Sequence, residues 1–357
     1  MEGNCLNKYW SRKANSIDPY TAGEQPKIKN IIKLNTNENA FPPSPAVLEA
    51  IAGAVADLRK YPPPGADALA AAAAQDAGLL PENIFCANGS DEALALSFLA
   101  FFDPGKPVFT PDITYSFYSV WADLFDLTIN KIPLQDDFTV CAEEMAGAPG
   151  GVVLANPNAP TGIALSAAEV EKIISANSGV VIIDEAYVAF GAESVINLVP
   201  KYDNLVVIRT LSKSHALAGL RVGYAAADKN LIGALMAVKD SFNSYPVDAL
   251  AQAGGAAALL DREYYAKITA EIIATREFTA EALRDLGVQV LPSSSNFLFI
   301  RPQVPAETVF HSLREKGIVV RWFNKEKINE FLRVSIGTME EMKCFIREMK
   351  CILENCC

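Results

Sequence analysis

Histidine is almost missing from this chain. Only His215 and His311 occur in 357 residues, too few and too far apart to hold a metal ion, so both read as ordinary surface or core histidines. Patterned cysteines are missing too. The seven cysteines are scattered with no Cys-x-x-Cys, and only Cys356 and Cys357 adjoin. An odd, unpatterned set reads as free thiols in a reducing compartment, with the cytoplasm as the expectation. No apolar run reaches the ~20 residues of a membrane span; the stretch 93–102 stops at the turn Asp103-Pro104-Gly105. Met1–Arg12 lacks the apolar core of a secretion signal. Positive charge is in deficit: the net charge of −11 disfavours a nucleic-acid partner while leaving room for a small anionic ligand held by a few local arginines.

What is present is apolar material for a large core, half of all residues being hydrophobic, in a length that suggests two domains. Residues 1–44 are irregular and rich in proline (Pro19, Pro26, Pro42, Pro43), the texture of an extended arm packing against the body. From 45 to 245 helical stretches (about 45–58, 65–77, 89–102, 115–125 and 166–176) alternate with short apolar strands at Pro107–Thr110, Thr128–Ile132, Gly151–Ala155, Val180–Ile183, Leu205–Ile208 and Val222–Ala226. That alternation predicts an α/β fold, a large domain with a mostly parallel sheet flanked by helices. Over 246–357 a long helix (about 261–286) precedes strands near 288–291, 296–300, 318–320 and 331–335, with helices near 305–315 and 339–353, the pattern of a smaller α+β domain.

Lys213 directly follows a predicted strand and stands between Ser212 and Ser214. Ligands of α/β sheets bind beyond the carboxyl ends of the strands, and a lysine amine there can form a Schiff base if its surroundings depress its pKa. Taken alone it is an ordinary solvated lysine. Its neighbours argue otherwise. Val180-Val-Ile-Ile-Asp184 ends a buried strand on a carboxylate, which is expensive to bury unless paired. Pyridoxal phosphate needs such a partner to keep its pyridine nitrogen protonated. A strand-end aspartate that merely caps a helix would leave Lys213, 29 residues on, unaccounted for. Tyr187 is within reach of a ring hydroxyl. Arg221 offers a fork for phosphate, and Asn88-Gly-Ser90-Asp91 before an apolar helix is an anion site or a plain N-cap. Asn156-Pro-Asn158-Ala-Pro-Thr-Gly162 by itself predicts only a turn.

Together, Asn-Pro-x-x-Pro-Thr-Gly, Asp184-Glu-Ala-Tyr187 and Leu-Ser-Lys213 through Leu220-Arg221 resemble the fold-type I aminotransferases, which use pyridoxal 5'-phosphate. Further segments are similar to the histidinol-phosphate aminotransferase family within them: Leu34-Asn-Thr-Asn-Glu38, Tyr61-Pro62, Thr114-Tyr115, Ser295-Asn-Phe297, Val320-Arg321-Trp-Phe-Asn324 and Leu332-Arg333-Val-Ser. They follow the family's order over about 20–350. The resemblance implies that Lys213 holds the cofactor as a Schiff base and then acts as acid and base, and that Asp184 pairs with the pyridinium nitrogen. It implies Tyr187 at the ring hydroxyl, Tyr115 on the ring face, and Ser90, Asp91 (mainly through its N–H), Ser212 and Arg221 at the phosphate. It also implies a homodimer with a shared active site, Tyr61 reaching the neighbouring subunit's cofactor phosphate. Arg333 would bind the substrate α-carboxylate, and Tyr20 and Arg321 the phosphate of histidinol phosphate.

One position departs. The family more often has Asn where this chain has Ala159, so the ring hydroxyl is left to Asn158, if the turn adjusts, or to Tyr187 alone. Arg333 lies in a predicted strand, where an inward charge calls for an anionic partner. Arg321 is equally compatible with a surface cation stacked on an aromatic ring, Tyr20 with an anchor for the arm, and Glu38 with a structural role. The implied activity is transamination between L-histidinol phosphate and 2-oxoglutarate in histidine biosynthesis. Alternatives are an aromatic amino-acid aminotransferase, a threonine-phosphate decarboxylase, and a non-catalytic protein that binds pyridoxal phosphate.

Overall fold

A computed structural model of the protein describes residues 8–21, 23–26 and 31–356. Its centre is a seven-stranded sheet whose strands, in chain order, are β2 (Ile84–Asn88), β3 (Pro107–Pro111), β4 (Thr128–Ile132), β5 (Gly151–Ala155), β6 (Val181–Asp184), β7 (Leu205–Thr210) and β8 (Val222–Ala227). Across the sheet they run β2-β8-β7-β6-β5-β3-β4. The neighbours from β4 to β7 are parallel, and only β8 is reversed, antiparallel to both β7 and β2. The expected mostly parallel α/β sheet is what forms. β2 is the strand absent from the sequence reading: its five residues were passed over between two strong helical patterns.

Strand residues divide between two faces because successive side chains point to opposite sides. Val152, Leu154, Val181, Ile183, Leu205 and Val207 enter one buried core with residues of the helices α3 (Asp67–Ala77), α7 (Ala167–Ala176) and α9 (Ala249–Leu260). Val153, Ile182, Val206 and Ile208 enter another with α4 (Gly89–Phe101), α5 (Phe117–Leu124) and α8 (Lys229–Phe242). A sheet covered on both faces explains why these strands read as unbroken apolar runs. Local signals fix the helix starts: α2 (Pro45–Ala54) opens with Pro at its first turn, and α7 opens with a capping box between Ser166 and Glu169.

A third hydrophobic cluster lies against a four-stranded antiparallel sheet of β9 (Gln289–Val290), β10 (Phe297–Arg301), β12 (Arg321–Trp322) and β13 (Leu332–Ser335), in the order β12-β13-β10-β9. The long α10 (Arg262–Asp285), α11 (Ala306–Glu315) and α12 (Met339–Cys356) supply its other side. The arm joins this cluster. Its β1 (Ile32–Lys33) pairs in parallel with β11 (Ile318–Val319), and Leu34 is buried there. No helix among the described residues is long and apolar enough to cross a membrane.

Parallel packing puts the carboxyl ends of β5, β6 and β7 side by side, so Ala155, Asp184 and Thr210 share one edge. Beneath that edge Glu185 is fully buried. Its carboxylate accepts from Arg209 Nε and Nη2, both at 3.0 Å, from Val195 N at 2.7 Å and from Ser194 Oγ at 2.8 Å. His215 sits half-buried against Tyr265 and Ser214, its pKa pushed down to about 4 by loss of water and then by the charge of Arg209. Replacing Arg209 by Met strands the Glu185 charge in the core, and a loss of about 3–5 kcal/mol in unfolding free energy is expected, measurable by urea titration.

Candidate active site

The strand edge opens into a cavity of about 870 Å³ between the large sheet, the arm and the four-stranded sheet. Tyr20, Ser90, Asp91, Tyr115, Asp184, Tyr187, Ser212, Lys213, Arg221, Arg321 and Arg333 all line it. These residues come from segments up to 313 positions apart in sequence; Asp184, Arg321 and Arg333 lie on strands, Ser212 and Lys213 directly follow one, and Tyr20 is brought in by the arm.

Lys213 leaves β7 and turns its Nζ toward the arm, donating to Thr36 O at 3.3 Å and lying 5.8 Å from the centre of the Tyr187 ring. Asp184 ends β6 with only neutral partners: Tyr118 OH donates to Oδ2 at 2.9 Å and Ala186 N to Oδ1 at 3.1 Å. Burial therefore pushes the Asp184 carboxyl up to about 6, against the pull of those two bonds. Tyr118, itself fully buried, belongs to the same sequence segment as Thr114 and Tyr115 but was given no role there. Its position in α5, three residues from Tyr115 on the same helical approach, is the signal that was available.

The anion end is built by the start of α4. Gly89 there has φ +79°, a backbone that favours glycine, and an added Cβ would lie 2.5 Å from Arg221 Nη2. Gly223 on β8 packs as tightly, since its Cβ would meet Ser90 N at 2.4 Å. These two glycines bring the first N–H groups of α4 beside the guanidinium. Arg221 Nη2 donates to Asp91 Oδ2 at 3.1 Å and Nη1 to Ser212 Oγ at 3.4 Å. Asp91 in turn accepts from Tyr115 OH at 2.9 Å. Helix N–H groups, a guanidinium and a serine hydroxyl converging on one spot suit a phosphate.

At the opposite end stand two arginines. Arg321 and Arg333 are directly opposite one another in the β12–β13 ladder, and both guanidinium groups lie over Phe323, at 5.4 and 5.7 Å. Arg333 Nη2 donates to Asn35 O at 2.9 Å, while its buried Nε has no partner. Burial first, and then the charge of Arg321, push the Arg333 pKa down. Arg321 is thus stacked on an aromatic ring and also faces the cavity. Tyr20 stacks on Phe117 at 4.5 Å while lining the cavity, so it both anchors the arm and forms part of the wall.

Asn37 was quoted in the sequence only as part of a motif. It is buried with φ +54° and donates from Nδ2 to Tyr187 OH at 3.0 Å. Ser335 Oγ and Asn296 Nδ2 hold it from the second sheet, at 2.9 Å to Oδ1 and 3.0 Å to O.

Two residues singled out in the sequence are not in the cavity. Asn158 turns away: its Nδ2 donates to Ile113 O at 2.9 Å and its Oδ1 accepts from Thr114 Oγ1 at 2.7 Å. Ala159 and Pro160 form the wall instead. The turn does not adjust because those bonds consume the Asn158 amide, so of Asn158 and Tyr187 only Tyr187 lines the cavity. Tyr61 lies on the outer surface, 82% exposed, stacked on Tyr245 at 4.8 Å.

The donor set fits pyridoxal phosphate. The phosphate-shaped end is lined by donors, the carboxylate that would face a pyridinium has no cation of its own, and the buried hydroxyl of Thr110 and Nε of Arg333 are left without partners. In the cofactor-free protein that uncompensated Asp184 costs stability. A carboxyl raised to about 6 favours the fold most below its ordinary value of 3.8 and loses that contribution as pH rises through about 6. The shift amounts to about 3 kcal/mol. Cofactor-free Asp184→Asn should therefore be more stable to urea than cofactor-free wild type at pH 7.5, the difference shrinking toward pH 4.

Comparison with known proteins agrees with this geometry. A family model described as "Aminotransferase class I and II" matches residues 29–349. The chain is 48% identical over 356 residues to histidinol-phosphate aminotransferase 2 of Thiobacillus denitrificans, covering 99% of this chain and 100% of that protein. It is 47% identical over 353 residues to histidinol-phosphate aminotransferase of Clostridium botulinum, covering 98% and 100%. Among solved structures, the histidinol-phosphate aminotransferase of Sinorhizobium meliloti in complex with pyridoxal-5'-phosphate superposes with a TM-score of 0.88 at 26% identity, over 99% of this chain and 100% of that one. With a strand-end lysine, a buried strand-end carboxylate and an anion cradle on a sheet of this order, the chain belongs to the class I and II aminotransferases.

Proposed function

We propose that the protein is a pyridoxal-phosphate enzyme that interconverts L-histidinol phosphate and 3-(imidazol-4-yl)-2-oxopropyl phosphate, with glutamate and 2-oxoglutarate as the second pair. One observation carries the proposal: a single cavity holds Lys213 and Asp184 between two separate cationic ends, Arg221 at one and Arg321 with Arg333 at the other. One cationic end suits a cofactor phosphate. The other suits a substrate anion, a carboxylate in one half-reaction and a phosphate in the next. Identity near 47% over whole chains with proteins of that name supports the substrate.

The cofactor, when bound, supplies the aldehyde that takes up the amine and the ring that draws electrons from the substrate Cα. Asp184 would pair with the ring nitrogen and favour its protonated form; burial raises the Asp184 pKa in the cofactor-free protein. Lys213 would hold the cofactor through its Nζ and would serve as the acid and base that carries the substrate Cα proton. Tyr115, its hydroxyl fixed by Asp91, would stack on the ring. Tyr187, fixed by Asn37, meets the ring hydroxyl alone, Asn158 being occupied elsewhere. Ser90, Asp91 N–H, Ser212 and Arg221 hold the phosphate. Arg333 binds the glutamate carboxylate through the edge that has an unpaired Nε, and Arg321 with Tyr20 receives the substrate phosphate. Tyr61 serves the site of a second copy, making the enzyme a homodimer; its exposure, outside its own cavity, fits that use. The reaction is placed in the cytoplasm, in keeping with the free cysteines.

A second reading, an aromatic amino-acid aminotransferase, is favoured by Tyr20, which lines the cavity and is stacked on Phe117. A half-reaction separates the two. The holoenzyme is mixed with L-histidinol phosphate, L-phenylalanine or O-phospho-L-threonine without an oxo acid, and the absorbance of the Lys213-bound cofactor is followed. Rapid conversion to the pyridoxamine form by histidinol phosphate alone is expected; equal conversion by phenylalanine gives the aromatic reading, and no conversion by any amine, glutamate included, ends the transaminase reading. Lys213→Ala should lower the rate by at least roughly 10²–10⁴-fold. Arg333→Gln should lower the glutamate half-reaction by roughly 10–100-fold, the worth of one charge-assisted bond.

A further inference from the structure

Lys239 is a lysine where a lysine is costly. It lies in the last turn of α8 with its side chain 1% exposed, and buried ammonium groups require complete pairing. All three of its donors are matched: Pro64 O at 3.2 Å, Ser244 O at 3.1 Å and Asp240 Oδ1 at 2.6 Å. Burying an ion is a poor way to gain stability, since an apolar side chain of the same volume does as well. The use of this one lies in what it joins.

Its two carbonyl partners belong to the two segments that carry Tyr61 and Tyr245, the exposed rings stacked at 4.8 Å. Gln252 makes a second tie between the same segments, donating from Nε2 to Pro63 O and Val247 O, both at 3.0 Å. Asn88 Nδ2 donates to Pro246 O at 3.2 Å, attaching the turn before α4 to the Tyr245 segment. Glu92, in the first turn of α4, accepts from Asn88 N at 2.6 Å and feels the charge of Lys239. An exposed tyrosine on a Pro-Pro-Pro-Gly loop would otherwise have only its stacking partner to hold it.

We propose, on the footing that Tyr61 serves the cofactor phosphate of a second copy as set out above, that Lys239 is a positioning residue that clamps the Tyr61 and Tyr245 segments in the shape offered to that copy. Lys239 touches neither substrate nor cofactor. It acts through the Tyr61 hydroxyl, and Gln252 acts beside it on the same two segments.

The test is a double-mutant cycle on the holoenzyme, read as the rate at which the cofactor leaves after dilution into a scavenger of free pyridoxal phosphate. Tyr61→Phe keeps the ring and removes the hydroxyl, and should speed loss roughly tenfold, the worth of one bond to a charged group. Lys239→Met should do the same with the dimer intact by size, and Tyr61→Phe added to Lys239→Met should change the rate less than twofold. That non-additivity is what a merely structural lysine would not produce. If Tyr61→Phe acts but Lys239→Met retains cofactor like wild type, or if the two effects multiply, the clamp is wrong and the role of Tyr61 stands. If Tyr61→Phe has no effect, the reading of Tyr61 fails and the clamp with it. Should Lys239→Met not fold, Gln252→Met cuts the neighbouring pair of bonds and enters the same cycle with the same expected and contrary results.

Discussion

The carboxylate of Asp184 is the constraint around which the site is arranged. It is buried at the end of the central strand, and among the described residues its hydrogen-bond partners are the Tyr118 hydroxyl and one backbone N–H. Those bonds are too few to offset the loss of water, which is why the group resists ionisation until about pH 6. A fold that keeps such a residue leaves a charge to be completed by whatever enters the cavity. In the proposed reaction that completion is a protonated ring nitrogen, and the same pairing that removes the cost makes the ring a better electron acceptor. Stability of the empty protein and activity of the loaded one are set against each other through a single side chain.

The same logic runs through the anion sites, on a chain whose net charge is −11. The arginines of the cavity are placed at its two ends. Arg221 sits at the start of α4, where Gly89 and Gly223 let the helix backbone approach. A side chain at Gly89 would meet the Arg221 guanidinium, and one at Gly223 the backbone of Gly89 and Ser90. Asp91 holds Arg221 from one side and Tyr115 from the other, so one carboxylate fixes both the guanidinium and the phenol.

Much of this was legible in the sequence because chemistry and backbone position coincide. Lys213 follows a strand and Asp184 ends one, so pattern put both at the carboxyl ends of strands, and the family resemblance added the turn at Gly89 to the same site. What was not legible depends on side-chain contacts across long separations. Tyr118 and Asn37 act through hydrogen bonds to residues 66 and 150 positions away, and no local pattern encodes those. Asn158 looked serviceable beside Ala159, but its amide is consumed by Ile113 and Thr114. The bond pattern across the turn decided this, not the residue type. β2 was passed over because five residues between strong helices carry little periodic signal, although β2 completes the sheet edge beside β8. The Glu185–Arg209 pair was hidden for a different reason: Glu185 adjoins Asp184 in sequence but points the other way, into a separate buried network.

Arg321 and Arg333 show why the substrate end is more than a surplus of charge. They face each other directly across antiparallel strands, an arrangement that repels. Phe323 beneath both groups and the Asn35 carbonyl at one of them offset part of that repulsion. A buried Nε remains with nothing to donate to. Two like charges in register, one with an idle donor, form a site that is poorly satisfied when empty and well satisfied by an anion. Two cations side by side also tolerate anions of different shape, because a planar carboxylate can engage one fork while a tetrahedral phosphate spans both. An enzyme that must accept glutamate and then a phosphorylated ketone at the same place needs that tolerance. A single arginine matched to the carboxylate would bind the first substrate as well and would leave the second phosphate to water.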